Sequence, residues 1–254
     1  MYFSDENLIK IQSEYQTVNG KYQRLFMSYV ARHFVDAKAR EYATQGFPRR
    51  LKILVRCIDK VFEILPPDRS EVPTRDELSD ATINIQAFVL NVFGSIDNLA
   101  WIWVQEKRLT NEDGTPIPNS RVGLGAKNKL VRDSFSKEFQ EYLKSLDVWF
   151  DAMGNFRHAL AHRIPFYIPP YVVTTDKEAA YRELEDRMTD AIKRKDFAEY
   201  DRLSVDQMKL AVFRPWMQQS FEEKAKPIVF HAQVLADFNT IEELGRKMLE
   251  ELNR

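Results

Sequence analysis

Apolar residues recur every three or four positions along much of the chain, which is the spacing of amphipathic α-helices. The first run predicts a helix over 21–43, and Gly46 and Pro48 are expected to end it. A second run predicts a helix over 51–65, which stops at the proline pair 66–67 because proline lacks the N–H that a helix interior needs. The N-terminal part is therefore predicted to be helical.

A third predicted helix, roughly 75–109, is apolar on nearly all sides, as is typical of a helix at the centre of a fold. Thr74 stands before it and Glu77 follows three residues later, which is the arrangement of a capping box. Asp97 and Asn98 interrupt the apolar surface, and an unpaired polar group in a core costs about 1–3 kcal/mol. They are expected either to form a satisfied structural pair or to support a functional site.

The helical pattern continues in the second half of the chain. A long helix is predicted over 126–164, ending before Pro165 because the residue that precedes a proline disfavours helical backbone. Residues 176–210 carry opposite charges at i,i+4 spacing, which favours a solvated helical hairpin. The segment 210–230 is expected to form a short β-hairpin or an irregular flap, and a final helix is predicted over 229–252.

Composition agrees with this pattern. Only 8 of the 254 residues are glycine, which disfavours folds built on glycine-rich phosphate loops or on many tight β-turns. We therefore predict an all-α fold in a single domain, 1–254. Its helical core is expected at about 20–164 and 229–252, with an insertion at about 171–228.

Cysteine usage and hydropathy bear on location. Cys57 is the only cysteine, so the chain forms no intramolecular disulfide and a cytoplasmic location is expected. The longest apolar stretch, 88–104, contains Asn91, Asp97 and Asn98, and a carboxylate at mid-membrane depth is costly. No membrane-spanning or targeting segment is predicted.

Candidate chemistry lies near the end of the predicted 126–164 helix, in the segment RHALAH that begins at Arg157. His162 is expected in the last helical turn, where the helix dipole favours a protonated imidazole. An imidazole can take the proton from a ribose 2′-hydroxyl, while a guanidinium neutralises the charge that develops on the phosphorane. Arg157 and His162 are thus candidate groups for phosphate chemistry that needs no metal or other cofactor.

Other interpretations of this segment remain open. Arg157 and His162 lie about 140° apart around a straight helix, so one site needs a curled arginine, a distorted turn or a second copy of the chain. The basic residues could instead simply cap the helix C-terminus. His158 and His162 also have the i,i+4 spacing of zinc ligands, with His231 as a further candidate in a zinc-dependent hydrolase.

The segment FRHALAHR resembles the Arg-x(4–6)-His signature of the HEPN superfamily, in which a polar residue such as His158 follows the arginine. The segments GSIDNLAWIW and IVFHAQVLADF are similar to flanking helices of bacterial HEPN-like proteins. The resemblance implies an up-and-down helical bundle that forms a homodimer, with Arg157 and His162 of both subunits in a shared cleft. The charged hairpin lies outside it.

Active members of that superfamily are metal-independent endoribonucleases of toxin, defence and RNA-processing systems, and they leave a 2′,3′-cyclic phosphate. The resemblance therefore implies that Arg157 stabilises the transition state and His162 is the general acid and base. His158 would hold the phosphate or orient its neighbours. Other members are non-catalytic, which leaves a module that binds RNA, a nucleotide or a protein partner as the alternative.

The charge distribution bears on the partner. The net charge of −1 gives no overall signal for nucleic acid. Residues 20–60, however, include ten lysines and arginines but only three acidic residues. Such a basic stretch could bind a phosphate backbone or could form a solvated surface. RNA is therefore kept as a candidate partner.

Overall fold

A computed structural model describes residues 2–219 and 227–254, and the chain is mostly helical, as predicted. In chain order the elements are α1 (Asp5–Ala31), α2 (Ala37–Glu41), a π-helical turn (Tyr42–Gly46), α3 (Phe47–Ile64), α4 (Arg75–Glu106), a 3₁₀ turn (Asn119–Arg121), α5 (Lys129–Asp133), α6 (Lys137–Ser145), α7 (Asp147–His162), β1 (Val172–Val173), α8 (Glu178–Lys193), α9 (Phe197–Met208), β2 (Ala211–Val212), β3 (Trp216–Met217), β4 (Ile228–Val229) and α10 (Phe230–Leu252).

Helix α4 is central, as its apolar surface predicts. Helices α3, α7 and α10 pack against it, with α3 making the most extensive contact. The capping box is confirmed, since the Thr74 hydroxyl accepts from the Glu77 N–H and the Glu77 carboxylate accepts from the Thr74 N–H. Among the large apolar side chains of α4, those of Ile83 and Leu90 are exposed, at 62% and 46%.

The same helix is long and apolar enough to cross a membrane, with a mean hydropathy of 1.4 over its most apolar 18-residue window. Within the fold, 67% of that window is buried against protein. The core helix of a soluble protein meets the same criteria of length and composition, so the helix by itself is weak support for a membrane span.

The predicted end of the first helix is wrong. Helix α1 already ends at Ala31, and Gly46 lies inside the π-helical turn. Pro48 lies in the first turn of α3, directly after the π-helical turn. The backbone keeps right-handed helical angles at Glu41, Tyr42, Gly46 and Phe47, so neither Gly46 nor Pro48 ends a helix.

The long helix predicted over 126–164 is also wrong, because that segment is divided into α5, α6 and α7. Ser136 caps α6 through its hydroxyl, and the same residue donates its N–H and hydroxyl to the Glu251 carboxylate on α10. Such side-chain bonds compete with helical ones and favour a break. The apolar spacing continues across the break because all three helices face one core.

The charged hairpin is confirmed as α8 and α9, which pack mainly against each other. In the region predicted as a β-hairpin or flap, β3 and β4 pair antiparallel, while β2 pairs with β1. Residues 220–226 of that prediction lie outside the described residues. The final helix, α10, agrees with the predicted 229–252 helix.

A buried carboxylate joins α7 to α10. The Trp149 indole and the Gln233 amide each donate to Asp237 Oδ1 at 2.8 Å. Burial raises the pKa of Asp237 to about 6, and the two hydrogen bonds only partly oppose this effect. The folded protein therefore holds this proton more tightly than the unfolded chain does.

This raised pKa predicts a pH-dependent stability. The contribution is fully present below about pH 4 and is lost as pH rises through about 6. Asp237→Asn cannot ionise, so between pH 4 and 7 the free energy of unfolding of wild type should fall relative to the variant by up to about 3 kcal/mol. Urea unfolding over this pH range measures the difference. The exposed Asp201→Asn serves as control, and a parallel profile for Asp237→Asn would contradict the prediction.

Candidate active site on helix α7

Helix α7 presents the predicted motif to solvent. Its inner face buries Phe150, Met153 and Ala159, whereas Arg157, His158 and His162 are exposed. His162 is the last helical residue, as predicted, and Arg163 continues in extended backbone with its N–H on the Ala159 carbonyl. The three motif side chains are therefore available to a ligand.

A cleft of about 720 Å³ lies between α7, α4 and the loop before α5. Arg157 and His158 line it from α7, Phe93 and Asp97 from α4, and Lys127 from the loop. This volume is in the range of ligand-binding pockets. The cleft thus combines the arginine and one histidine of the motif with a lysine and a carboxylate.

Arg157 is held over the face of the Phe93 ring, with its Cζ atom 5.1 Å from the ring centroid. Within residues 2–219 and 227–254 it forms no ion pair. The nearby carboxylate of Asp97 interacts electrostatically with Arg157. Burial raises the pKa of Asp97, and the positive charges of Arg157, Arg50 and Lys127 oppose that rise. The guanidinium is therefore oriented by an aromatic ring and keeps its hydrogen-bond donors free for an anion.

His158 and His162 lie side by side, with ring centroids 5.0 Å apart and planes inclined at 55°. His158 lines the cleft with Arg157, whereas His162 does not. The structure thus brings together Arg157 with His158 and His158 with His162. It does not bring Arg157 into contact with His162, which agrees with their calculated angular separation.

The capping interpretation concerns the last carbonyls of α7. The Arg163 guanidinium donates to Asn155, both to the side-chain oxygen and to the main-chain carbonyl, which lies two turns before the helix end. The side chains of Arg157, His158 and His162 form no hydrogen bond in the part of the chain that the structure describes. His162 lies in the last turn, where a basic side chain suits the helix dipole, whereas Arg157 lies earlier in the helix.

The structure does not bring His231 together with His158 and His162. His231 is buried on α10, where its Nε2 atom lies 2.6 Å from the Leu65 carbonyl oxygen and its ring packs edge-on against Phe62. Burial lowers the pKa of His231 to about 4. Among the described residues, no group of three His, Cys, Asp or Glu side chains could hold a metal ion, so the ligand set suggested by the sequence is not assembled there.

Asp97 and Asn98 do not form the structural pair considered from the sequence. Asp97 lines the cleft, whereas the buried Asn98 accepts a hydrogen bond from Arg50 Nε at 3.1 Å on the α3 side of α4. Sequence reasoning missed Arg50 and Lys127 as neighbours of the site. The signal for Arg50 was Gly94, a glycine inside the most apolar helix of a glycine-poor chain.

Comparisons of the chain with protein-family models, with curated proteins and with solved structures found no match. A function must therefore be argued from the side chains of α7 and the cleft beside them.

A double-mutant cycle tests the contact between Arg157 and Phe93. We expect Phe93→Leu and Arg157→Ala to show a coupling energy of about 0.5–1 kcal/mol in the free energy of unfolding, the usual size for an exposed cation–π pair. Phe93→Leu combined with Arg187→Ala, on the distant α8, should be additive within about 0.3 kcal/mol. Additivity in both cycles would show that the ring does not hold the guanidinium.

Proposed function

We propose that the protein is a metal-independent endoribonuclease of HEPN type. The observation that carries the proposal is that Arg157, His158 and His162 are exposed at or beside a cleft and form no ion pair among the described residues. Asp97 lies in the same cleft and is within electrostatic range of Arg157 without pairing with it. Cations and imidazoles left free in this way suit a phosphodiester ligand.

The reaction is an internal transfer at phosphorus. His162 takes the proton of a ribose 2′-hydroxyl, and the new bond forms between O2′ and phosphorus while the bond from phosphorus to the departing O5′ breaks. His158, whose ring contacts His162, is placed to hold the phosphate or to return a proton to O5′. The products are a 2′,3′-cyclic phosphate and a 5′-hydroxyl. General acid–base catalysis of this kind contributes about 10²–10⁴-fold.

Arg157 supplies electrostatic stabilisation. Negative charge builds up on the non-bridging oxygens of the phosphorane, and a preoriented guanidinium favours that state over the ground state. Its stacking on Phe93 fixes the guanidinium while leaving its N–H groups free. Lys127 in the same cleft adds a second positive charge for the RNA backbone.

We further propose a homodimer, because Arg157 and His162 occupy different parts of the surface of one chain. Val148 and Ile164 flank the two ends of α7 and are 84% and 57% exposed. Burial of such apolar side chains favours association of a second copy along α7, and that copy would place its own motif opposite the first. We expect the dimer to act in the cytoplasm.

One observation favours a non-catalytic alternative. Arg157, His158 and Lys127 line the cleft, but His162 lies outside it. A module of this kind would hold the phosphate of RNA or a nucleotide, or a partner protein, without cleaving it. The two functions differ in whether the RNA is cut.

The central prediction concerns cleavage in EDTA. Wild type should cut mixed-sequence RNA with EDTA present and leave 2′,3′-cyclic phosphate ends, detected by mass spectrometry. Arg157→Ala and His162→Ala should each lower the rate by about 100-fold or more, since each removes a group that acts on the transition state. Arg187→Ala and His33→Ala are matched controls, because both residues are exposed and neither lies in the cleft.

Unchanged cleavage by the Arg157→Ala, His162→Ala double variant would contradict the assignment. Binding of RNA without cleavage by wild type would support the non-catalytic alternative instead. In both cases circular dichroism must show that the variants keep their helix content.

A further inference from the structure

Arg50 on α3 is a half-buried cation whose hydrogen bonds go to two neutral amides, while Asp97 is a carboxylate within electrostatic range of it. Its Nε atom donates to Asn98 Oδ1 at 3.1 Å, and its Nη1 atom donates to Asn91 Oδ1 at 3.2 Å. The Asn91 amide is itself fixed, because its Nδ2 donates to the Ala87 carbonyl at 2.8 Å. No ion pair involves Arg50 in the described ranges. Two neutral amides therefore position the charge without neutralising it.

Gly94 makes this position possible. A Cβ atom on residue 94 would lie 2.3 Å from both Cζ and Nη1 of Arg50, so any other side chain would displace the guanidinium. Glycine inside a helix costs about 0.5–1 kcal/mol relative to alanine. At position 94 the absence of a side chain allows the Arg50 guanidinium to lie against the backbone of α4.

Arg50 opens onto a cavity of about 460 Å³ between α2, the π-helical turn, α3 and α4. Lys38 and Arg49 line the same cavity, and Glu41 is the acidic residue on its wall. Short π-helical segments are frequent at functional sites. These cations belong to the basic segment 20–60, so part of its excess charge is concentrated in one concave place.

An aromatic surface adjoins these cations. The Tyr42 ring lines the cavity and is stacked on Trp101, with centroids 5.9 Å apart and planes within 8° of parallel. Nucleotide bases stack on such rings, and guanidinium groups pair with phosphate oxygens in a fork geometry. The combination matches the two ends of a nucleotide.

We infer that this cavity binds the phosphate group of a nucleotide, either free or within an RNA strand, with Arg50 as its principal contact and Tyr42 beside the base. Arg49 and Lys38 add positive charge at the rim. The inference does not rest on the proposed cleavage, because the residues that carry it lie outside α7.

The test uses the full chain and three probes. These are inorganic phosphate, AMP and a single-stranded RNA of about ten nucleotides with methylated 2′-hydroxyls, which cannot be cleaved through O2′. Isothermal titration calorimetry measures the affinity for each probe. Weaker binding of AMP than of the RNA assigns the phosphate to a strand, and the reverse assigns it to a free nucleotide.

Three variants separate charge from position. Arg50→Gln should weaken binding by about tenfold or more and lower the salt dependence of RNA binding by about one phosphate contact. Gly94→Ala should weaken binding although it keeps every charge, because the new methyl group displaces Arg50. Arg56→Gln, on the same helix but outside this cavity, should change the affinity by less than about twofold.

Equal affinity of wild type and Arg50→Gln would overturn the inference, as would failure of all three probes to bind. Thermal unfolding of each variant confirms that it is folded. Because the RNA probe cannot be cleaved, these outcomes are distinguishable from the failure of the proposed nuclease activity.

Discussion

Helix α4 has more apolar surface than one neighbouring helix can cover, and this constraint determines where the other helices pack. Helices α3, α10 and α7 each bury part of it, and polar residues of α4 lie where α3 and α7 meet it. Asp97 faces α7, whereas Asn91 and Asn98 face Arg50 of α3. The core helix therefore also forms one wall of both cavities discussed above.

The two cavities are electrostatically connected through α4. Arg157, Arg50 and Lys127 all act on Asp97 and oppose the rise that burial causes in its pKa. An arginine on either side of the helix thus lies within range of one carboxylate.

The central features of the fold could be predicted from the sequence. The position of α4, its capping box, the α8–α9 hairpin and α10 follow from apolar spacing and capping residues, which are local signals. The break at Ser136 could not be predicted, because it depends on Glu251, which is 115 residues away. Proline is common both after a helix and in the first turn of one, so Pro48 alone does not indicate where a helix ends.

The site was predictable only in part, for a similar reason. The pattern placed Arg157 and His162 on one helix and their angular separation followed from helix geometry. Nothing local showed that Phe93 would orient Arg157, or that Arg50 would lie against Gly94. His231 was wrongly grouped with His158 and His162, since residue type carries no information about which side of the core a side chain occupies.

Arg157 and His162 are proposed to act in one cleft to which two copies of the chain contribute. The Arg157→Ala and His162→Ala variants can be mixed and their subunits allowed to exchange. If the cleft is shared, half of the dimers are mixed and each has one intact site, so RNA cleavage should recover to about a quarter of the wild-type rate. A mixture as inactive as either variant alone, with exchange verified by native mass spectrometry, would show that the two residues do not act together across a dimer.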